Sequence, residues 1–131
     1  MSRIDEDPQP IGELELRTIA MPANTNPNGD IFGGWLVSQM DLAAGAAAAK
    51  IAKGRVATVA IDRMSFMVPV MVGAVVSCYC EVINTGRSSI EVNVEVWITA
   101  PQQREPLKVT EGVFIFVAID NNGRTRQLTK V

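Results

Sequence analysis

The sequence contains no histidine at all. That removes Ser-His-Asp and Cys-His nucleophile pairs, and with them the usual zinc and non-haem iron sites. Cysteine is scarce, with Cys78 and Cys80 the only two. They stand two apart in a segment that reads as a strand, so both point to one face, and such neighbours rarely meet disulfide geometry. They are expected to be small buried apolar residues in a reducing cytosol. An excess of positive charge is also missing: 12 Lys and Arg stand against 14 Asp and Glu, for a net charge of −2. Nucleic acid is therefore not the expected partner, since phosphate binding needs a basic surface. No run suits a membrane either. The longest apolar stretch, Ile31–Ala52, is interrupted by Asp41 and Lys50 and diluted by Ala and Gly, whereas a span is rich in Leu and Ile with no central charge. The N-terminus, MSRIDEDPQP, is acidic and polar where a secretory leader is cationic and then apolar. The expected location is the cytoplasm. There is no G-x-S-x-G elbow and no phosphate-binding P-loop, and NPNGDIFGG does not match G-x-G-x-x-G. An enzyme built from this chain works with carboxylates, amides, hydroxyls and backbone dipoles.

What is present fits one core. The chain has 131 residues, 47% of them apolar, enough for a single domain and too few for two. Residues 1–12, with two prolines and four charges, read as a mobile arm, and 13–131 as one domain. Glu13–Ala20 is predicted as a first strand. The segment MPANTNPNGDIFGG, dense in Pro, Asn and Gly, is predicted as an irregular loop. Its length marks it as functional. Gly33 to about Lys53 reads as one helix, with an Ala-rich middle and Gly54 as its stop. It is apolar on nearly every side, the pattern of a helix that is wrapped. Strands are predicted over Val56–Met64, Ala74–Asn84, Ser88–Thr99 and Lys108–Ile119, with turns at Thr85–Arg87 and Asn121–Gly123. In Ser88–Thr99, Ile90, Val92, Val94, Val96 and Ile98 share one face, and Glu91, Asn93 and Glu95 the other. The expected class is α+β: a long central helix wrapped by a curved antiparallel sheet of five to six strands. One sheet covers only part of such a helix, so a dimer at least is expected.

Asp41 is the most telling residue. It is the only acid between Asp30 and Asp62, and it sits mid-helix beside Met40, Leu42, Ala43 and Ala44. It lies too far in for capping or dipole stabilisation, and burying a carboxylate is costly without partners. A carboxylate in that position is a catalytic candidate, although bonding to Ser38, Gln39 or a partner chain would make it a helix-pairing residue instead. Gly33-Gly34 opens the helix with no side chain over its free N–H groups, a place for an oxyanion. Gly34 and Asp41 share a helix face yet stand roughly 10 Å apart along the axis. Two antiparallel helices about a two-fold axis would set Asp41 of one against Gly34 of the other, giving two composite sites per dimer. The turn Gly86-Arg87-Ser88-Ser89 offers amides, hydroxyls and a guanidinium for phosphate, and Lys53 with Arg55 forms a second basic cluster.

Four segments, TNPNGDIFGGWLVSQMD, GRVATVAIDRMSFMVPVMVGAVV, GRSSIEVNVEVW and VFIFVAIDNNGR, resemble the bacterial YciA-type acyl-CoA thioesterases of the hotdog superfamily. The resemblance runs from about Leu14 to Gln127. It implies a hotdog fold, active sites shared across a dimer, dimers assembling into a hexamer, and hydrolysis of fatty acyl-CoA to free acid and CoA with broad chain-length tolerance. It puts the catalytic aspartate on Asp41. Related hydrolases also use an asparagine in the loop before the double glycine. Here that loop has Asn24, Asn26, Asn28 and Asp30, with Asn26 and Asn28 carried as catalytic candidates and the choice open. Gly86, Arg87, Ser88 and Ser89 match the CoA-contacting turn, and Arg55 and Thr58 are grouped with them. Phe32, Trp35, Met64, Phe66 and Met67 are expected around the acyl chain. Coenzyme A enters as part of the substrate, with no metal and no other cofactor. The alternatives are a non-catalytic acyl-CoA-binding module and a thioesterase for acyl-carrier protein.

Overall fold

The computed structural model describes residues 9–102 and 105–128. Strand β1 (Glu13–Ile19) leads through a short 3₁₀ turn, Pro22–Asn24, into helix α1 (Gly33–Ala52). Four strands follow: β2 (Val56–Phe66), β3 (Val75–Thr85), β4 (Ser89–Thr99) and β5 (Leu107–Ala118). They form one antiparallel sheet in the order β1-β3-β4-β5-β2. Helix α1 packs against every strand. This is the hotdog arrangement that the resemblance implies, with five strands.

The core lies between the helix and the concave face of the sheet. Leu36, Met40, Ala43, Ala44, Ala47, Ala48 and Ala52 are buried, the three- and four-residue spacing of one helical face. Small alanines let the helix sit close to the sheet, where Ile90, Val92, Val94, Val96 and Ile98 of β4 and Phe114, Phe116 and Ala118 of β5 meet it. The alternation predicted for β4 thus holds on its inner face. The opposite side of the helix stays uncovered within one chain, where Leu42 is 62% exposed. Strand β2 is an edge of the sheet, and its Val59 and Ile61 are exposed as well. A long apolar edge is a template for pairing.

Element ends differ from the predicted ones by one or two residues. The clearest difference is at the C-terminus of α1. The left-handed residue there is Lys53 (φ 55°), not Gly54. The Arg126 side chain donates Nη2 to Ala52 O at 2.7 Å, and a Cβ on Gly54 would lie 2.8 Å from that nitrogen. Gly54 therefore makes room for the guanidinium that closes the helix.

Residues 1–8 of the predicted arm lie outside the described residues, but its last part is tied down. Ile11 N–H donates to Glu95 Oε1 at 3.2 Å, and Gly12 (φ 103°) packs against the Cys80 carbonyl. Glu95, predicted on a solvated face, has only 3% of its side chain exposed. Trp97 Nε1 donates to it at 2.9 Å, and Lys108 Nζ lies 3.5 Å away. Burial pulls the Lys108 ammonium down, but its hydrogen bond to Glu111 and the charges of Glu95 and Glu111 prevail and raise its pKa. Glu95→Ala leaves the buried indole N–H of Trp97 and the Ile11 N–H without their acceptor and takes one of two carboxylates from Lys108. It is expected to cost about 3 kcal/mol and lower Tm by about 10 °C, as a calorimetric scan would show. The two cysteines are free and buried, as expected, and burial pushes both thiols up to about 12. At neutral pH they stay protonated and poorly nucleophilic. No helix among the described residues is long and apolar enough to cross a membrane.

Candidate active site

The loop before α1 is organised by one residue. Asn26 N–H donates to Asp30 O at 2.7 Å, and Asn26 O accepts from Gly29 N–H at 3.0 Å. The Asn26 side-chain oxygen takes N–H groups from Asn28 at 2.9 Å and Asp30 at 3.2 Å, an Asx turn. Its amide N–H groups make no hydrogen bond among the described residues. Gly29 (φ 87°) supplies the left-handed residue that closes this loop. Phe32 N–H donates to Asn24 O and Ile31 N–H to Val70 O, which fixes the entry to the helix. Phe32 caps α1 in an extended conformation with no side-chain hydrogen bond. Gly33 and Gly34 are exposed and, among the described residues, no hydrogen bond takes their N–H groups. The helix start is open, as its glycines predict.

A cleft of about 340 Å³ opens beside that helix start. Asn26, Asp30 and Gly33 line its polar side; Phe66, Met67, Val68 and Pro69 line its apolar side; and the buried Ile31, Leu36 and Val70 lie beneath. The structure thus brings Asn26, Gly33, Phe66 and Met67 together. Asn28 is exposed and not among the lining residues. Trp35 and Met64 pack partly buried against the core, Met64 beside Gly112 and Thr110. Phe32 is 43% exposed, with its ring over Gly34. A second cleft, about 380 Å³, between β1 and the later half of α1, includes Lys50 and Glu15 and none of the predicted site residues. The hydrogen bond to Glu15 raises the Lys50 pKa.

Asp41 is half-buried on the flank of the helix that faces β2, seven residues before the buried Ala48. Its Oδ1 accepts a hydrogen bond of 2.7 Å from Thr58 Oγ1. Thr58 pairs with Phe116 in the β2–β5 ladder and so projects toward the helix. Neither Ser38 nor Gln39 bonds Asp41; the Ser38 hydroxyl donates to Trp35 O instead. Thr58, grouped in the sequence reading with the CoA contacts, is found on the carboxylate. Thr58→Val removes that hydroxyl and keeps its volume. It is expected to lower kcat about tenfold with little change in KM, and Thr58→Ser to restore most of the loss. Steady-state kinetics check both.

The predicted basic groups gather at the other end of β2. Val56 pairs with Ala118, whose N–H donates to Ser88 O at 2.9 Å. Register therefore brings Arg55 and the turn Gly86-Arg87-Ser88-Ser89 to one edge. Arg55 and Arg87 are exposed. Arg55 Nη1 reaches the carbonyls of Asp120 and Asn121 at 3.4 Å each, and Arg87 O accepts from Leu128 N–H. Gly86 N–H donates to Ser89 O at 2.9 Å, and a Cβ there would lie 2.5 Å from Ser89 Oγ, so a side chain at 86 would have to displace that hydroxyl.

Within one chain these parts do not form one centre. Asp41 lies roughly 10–12 Å along the helix from Gly33-Gly34 and does not line their cleft.

The sequence profile described as Thioesterase superfamily matches residues 28–104. The chain is 51% identical over 132 residues to the acyl-CoA thioester hydrolase YciA of Salmonella typhimurium, covering 98% of this chain and 97% of that protein. The crystal structure of the hexameric thioesterase from Yersinia pestis superimposes with a TM-score of 0.90 at 53% identity, covering 94% of this chain and 100% of that one. A hexameric broad specificity acyl-coenzyme A thioesterase, crystallised as an aspartate-to-alanine mutant, gives a TM-score of 0.88 at 51% identity, with 91% and 88% covered. A helix wrapped by a five-stranded sheet, an open helix start and these likenesses agree: the chain belongs to the Thioesterase superfamily and, within it, to the YciA-type acyl-CoA thioester hydrolases.

Proposed function

We propose that this chain hydrolyses acyl-CoA thioesters to free acid and CoA, in a dimer whose sites each draw on both subunits. The observation that carries the proposal is the placing of Asp41. It is half-buried on the flank of the helix, held at 2.7 Å by Thr58, and the same helix begins without a side-chain cap. Two such helices, antiparallel about a two-fold axis, bring Asp41 of one subunit to the Gly33-Gly34 amides of the other. The exposed β2 edge supports the same association, since pairing there would extend the sheet across the axis.

The thioester carbonyl lies at the Gly33-Gly34 amides, and the developing oxyanion draws on their N–H groups and on the Asn26 amide. Asn26 is preferred to Asn28 because it lines the cleft and its oxygen is already fixed by two N–H groups, which orients its nitrogen. The partner's carboxylate at position 41 activates water, or attacks the carbonyl and expels CoA as its thiolate to give a mixed anhydride, which water then opens to the free acid and the carboxylate. The acyl chain enters the cleft past Phe66 and Met67. The CoA phosphates rest on Arg55, Arg87 and the turn at Gly86. CoA is part of the substrate, and the reaction uses no metal or other cofactor. The hexamers among relatives support assembly of the dimers into a hexamer. The place of work is the cytoplasm, where acyl-CoA is made and used.

A thiol-release assay on acyl-CoAs of varied length, beside the same acyl groups on acyl-carrier protein, tests this reading. Free CoA should appear over a range of chain lengths. Release from carrier protein alone would make the chain a thioesterase of another substrate class, and binding without thiol release an acyl-CoA-binding module.

A further inference from the structure

Asp30 is the one charged residue that lines the cleft. Its backbone is fully engaged: the N–H donates to Asn26 Oδ1 at 3.2 Å, and the carbonyl accepts Asn26 N–H at 2.7 Å. Its carboxylate takes no part in that loop and, among the described residues, makes no hydrogen bond or ion pair. The residue is half-buried. No Lys or Arg borders the cleft, and Arg55 and Arg87 belong to the opposite end of β2. The floor and far wall are Ile31, Leu36, Val68 and Val70, all apolar. A negative charge beside an apolar cavity acts on any charge that the substrate brings into it.

From this we propose that Asp30 sets the charge specificity of the acyl cleft: it excludes acyl groups that carry a carboxylate at their far end and tolerates those that end in a cation. The inference rests on the acyl-CoA hydrolase reading and on the acyl chain lying in this cleft. An apolar cavity alone disfavours either charge by desolvation. A nearby carboxylate splits the two by sign, and repulsion of the wrong substrate is an effective route to discrimination.

The test uses three acyl-CoAs of similar reach: pentanoyl-CoA, glutaryl-CoA and γ-trimethylammoniobutanoyl-CoA. The wild-type protein and Asp30→Asn are compared by kcat/KM, each charged substrate being expressed as a ratio to pentanoyl-CoA within the same protein. In Asp30→Asn the glutaryl ratio is expected to rise about tenfold and the trimethylammonio ratio to fall about threefold. Opposite movement is the signature of charge, because a loosened loop or a damaged cleft moves both ratios together. Ratios that stay within about twofold of wild type, or that shift in one direction, overturn the proposal. Glutaryl-CoA turned over by the wild type as readily as pentanoyl-CoA overturns it too. A wild-type protein that leaves pentanoyl-CoA and longer acyl-CoAs intact refutes the hydrolase reading itself, and this inference with it.

Discussion

Asp41→Asn is expected to leave the fold intact and lower kcat on acyl-CoA about 10³-fold. The two side chains are nearly identical in shape. Thr58 Oγ1, now 2.7 Å from Asp41 Oδ1, can donate to an amide oxygen as it does to a carboxylate. The helix around position 41 therefore keeps its contacts, and a half-buried polar residue is exchanged for another polar residue. What is lost is chemical. An amide neither accepts a proton from water at neutral pH nor attacks a thioester, so both routes open to the carboxylate close together. KM should change far less than kcat, because the substitution leaves the CoA contacts and the walls of the cleft as they are. The measurements are single-substrate kinetics by thiol release, with Tm and oligomer size as controls. A folded mutant that turns over like wild type would make Asp41 a helix-pairing residue, and its bond to Thr58 a structural one.

The local signals in the chain were legible and the tertiary ones were not. A 20-residue helix is visible because Ala43–Ala49 is nearly pure helix former and because its neighbours are Gly, Pro and strand patterns. β4 is visible because its Ile and Val positions alternate without a break. The all-round apolar character of the helix predicts both a wrapped face and a partner for the rest. Within one chain only one stripe is buried, and Leu42 stays exposed, which is why the same pattern also signals a partner. Glu95 shows the limit of alternation. Period-2 patterning says which residues share a face, but not whether residues 9–12 return to cover that face. In the site, Asp41 and the paired glycines stand out from composition alone. The partner of Asp41 does not, since the hydroxyl comes from Thr58 on β2 and depends on strand register. Asp30 is equally hidden: only the folded loop shows that its backbone is engaged, that its carboxylate is not, and that it borders an apolar cleft. Between Asn26 and Asn28 the sequence offers no preference. The turn does, by locking the Asn26 oxygen.

Mixing two inactive variants is expected to restore activity. Gly34→Val puts a branched side chain beside the open helix start, where a Cβ would already lie 3.2 Å from the Phe32 ring. Loss of access to an oxyanion donor is expected to lower kcat about 10²–10³-fold. Asp41→Asn removes the carboxylate. If each site takes its carboxylate from one subunit and its amides from the other, a dimer of one variant with the other contains one intact site and one doubly damaged site. Random pairing at equal amounts makes about half of all dimers mixed, so about a quarter of the sites recover. The mixture should then show about a quarter of wild-type kcat per subunit, from components that each give about a hundredth or less. Sites built within one chain predict no recovery, because each subunit carries its own lesion. The two variants are refolded together from denaturant, or co-expressed with different tags and purified through both, so that subunits exchange before assay. Co-purified mixed oligomers with the activity of their components alone would reject the shared site. The geometry argues for recovery, because the helix that presents Asp41 separates it from its own Gly33-Gly34 by two turns, and a straight helix cannot close that gap.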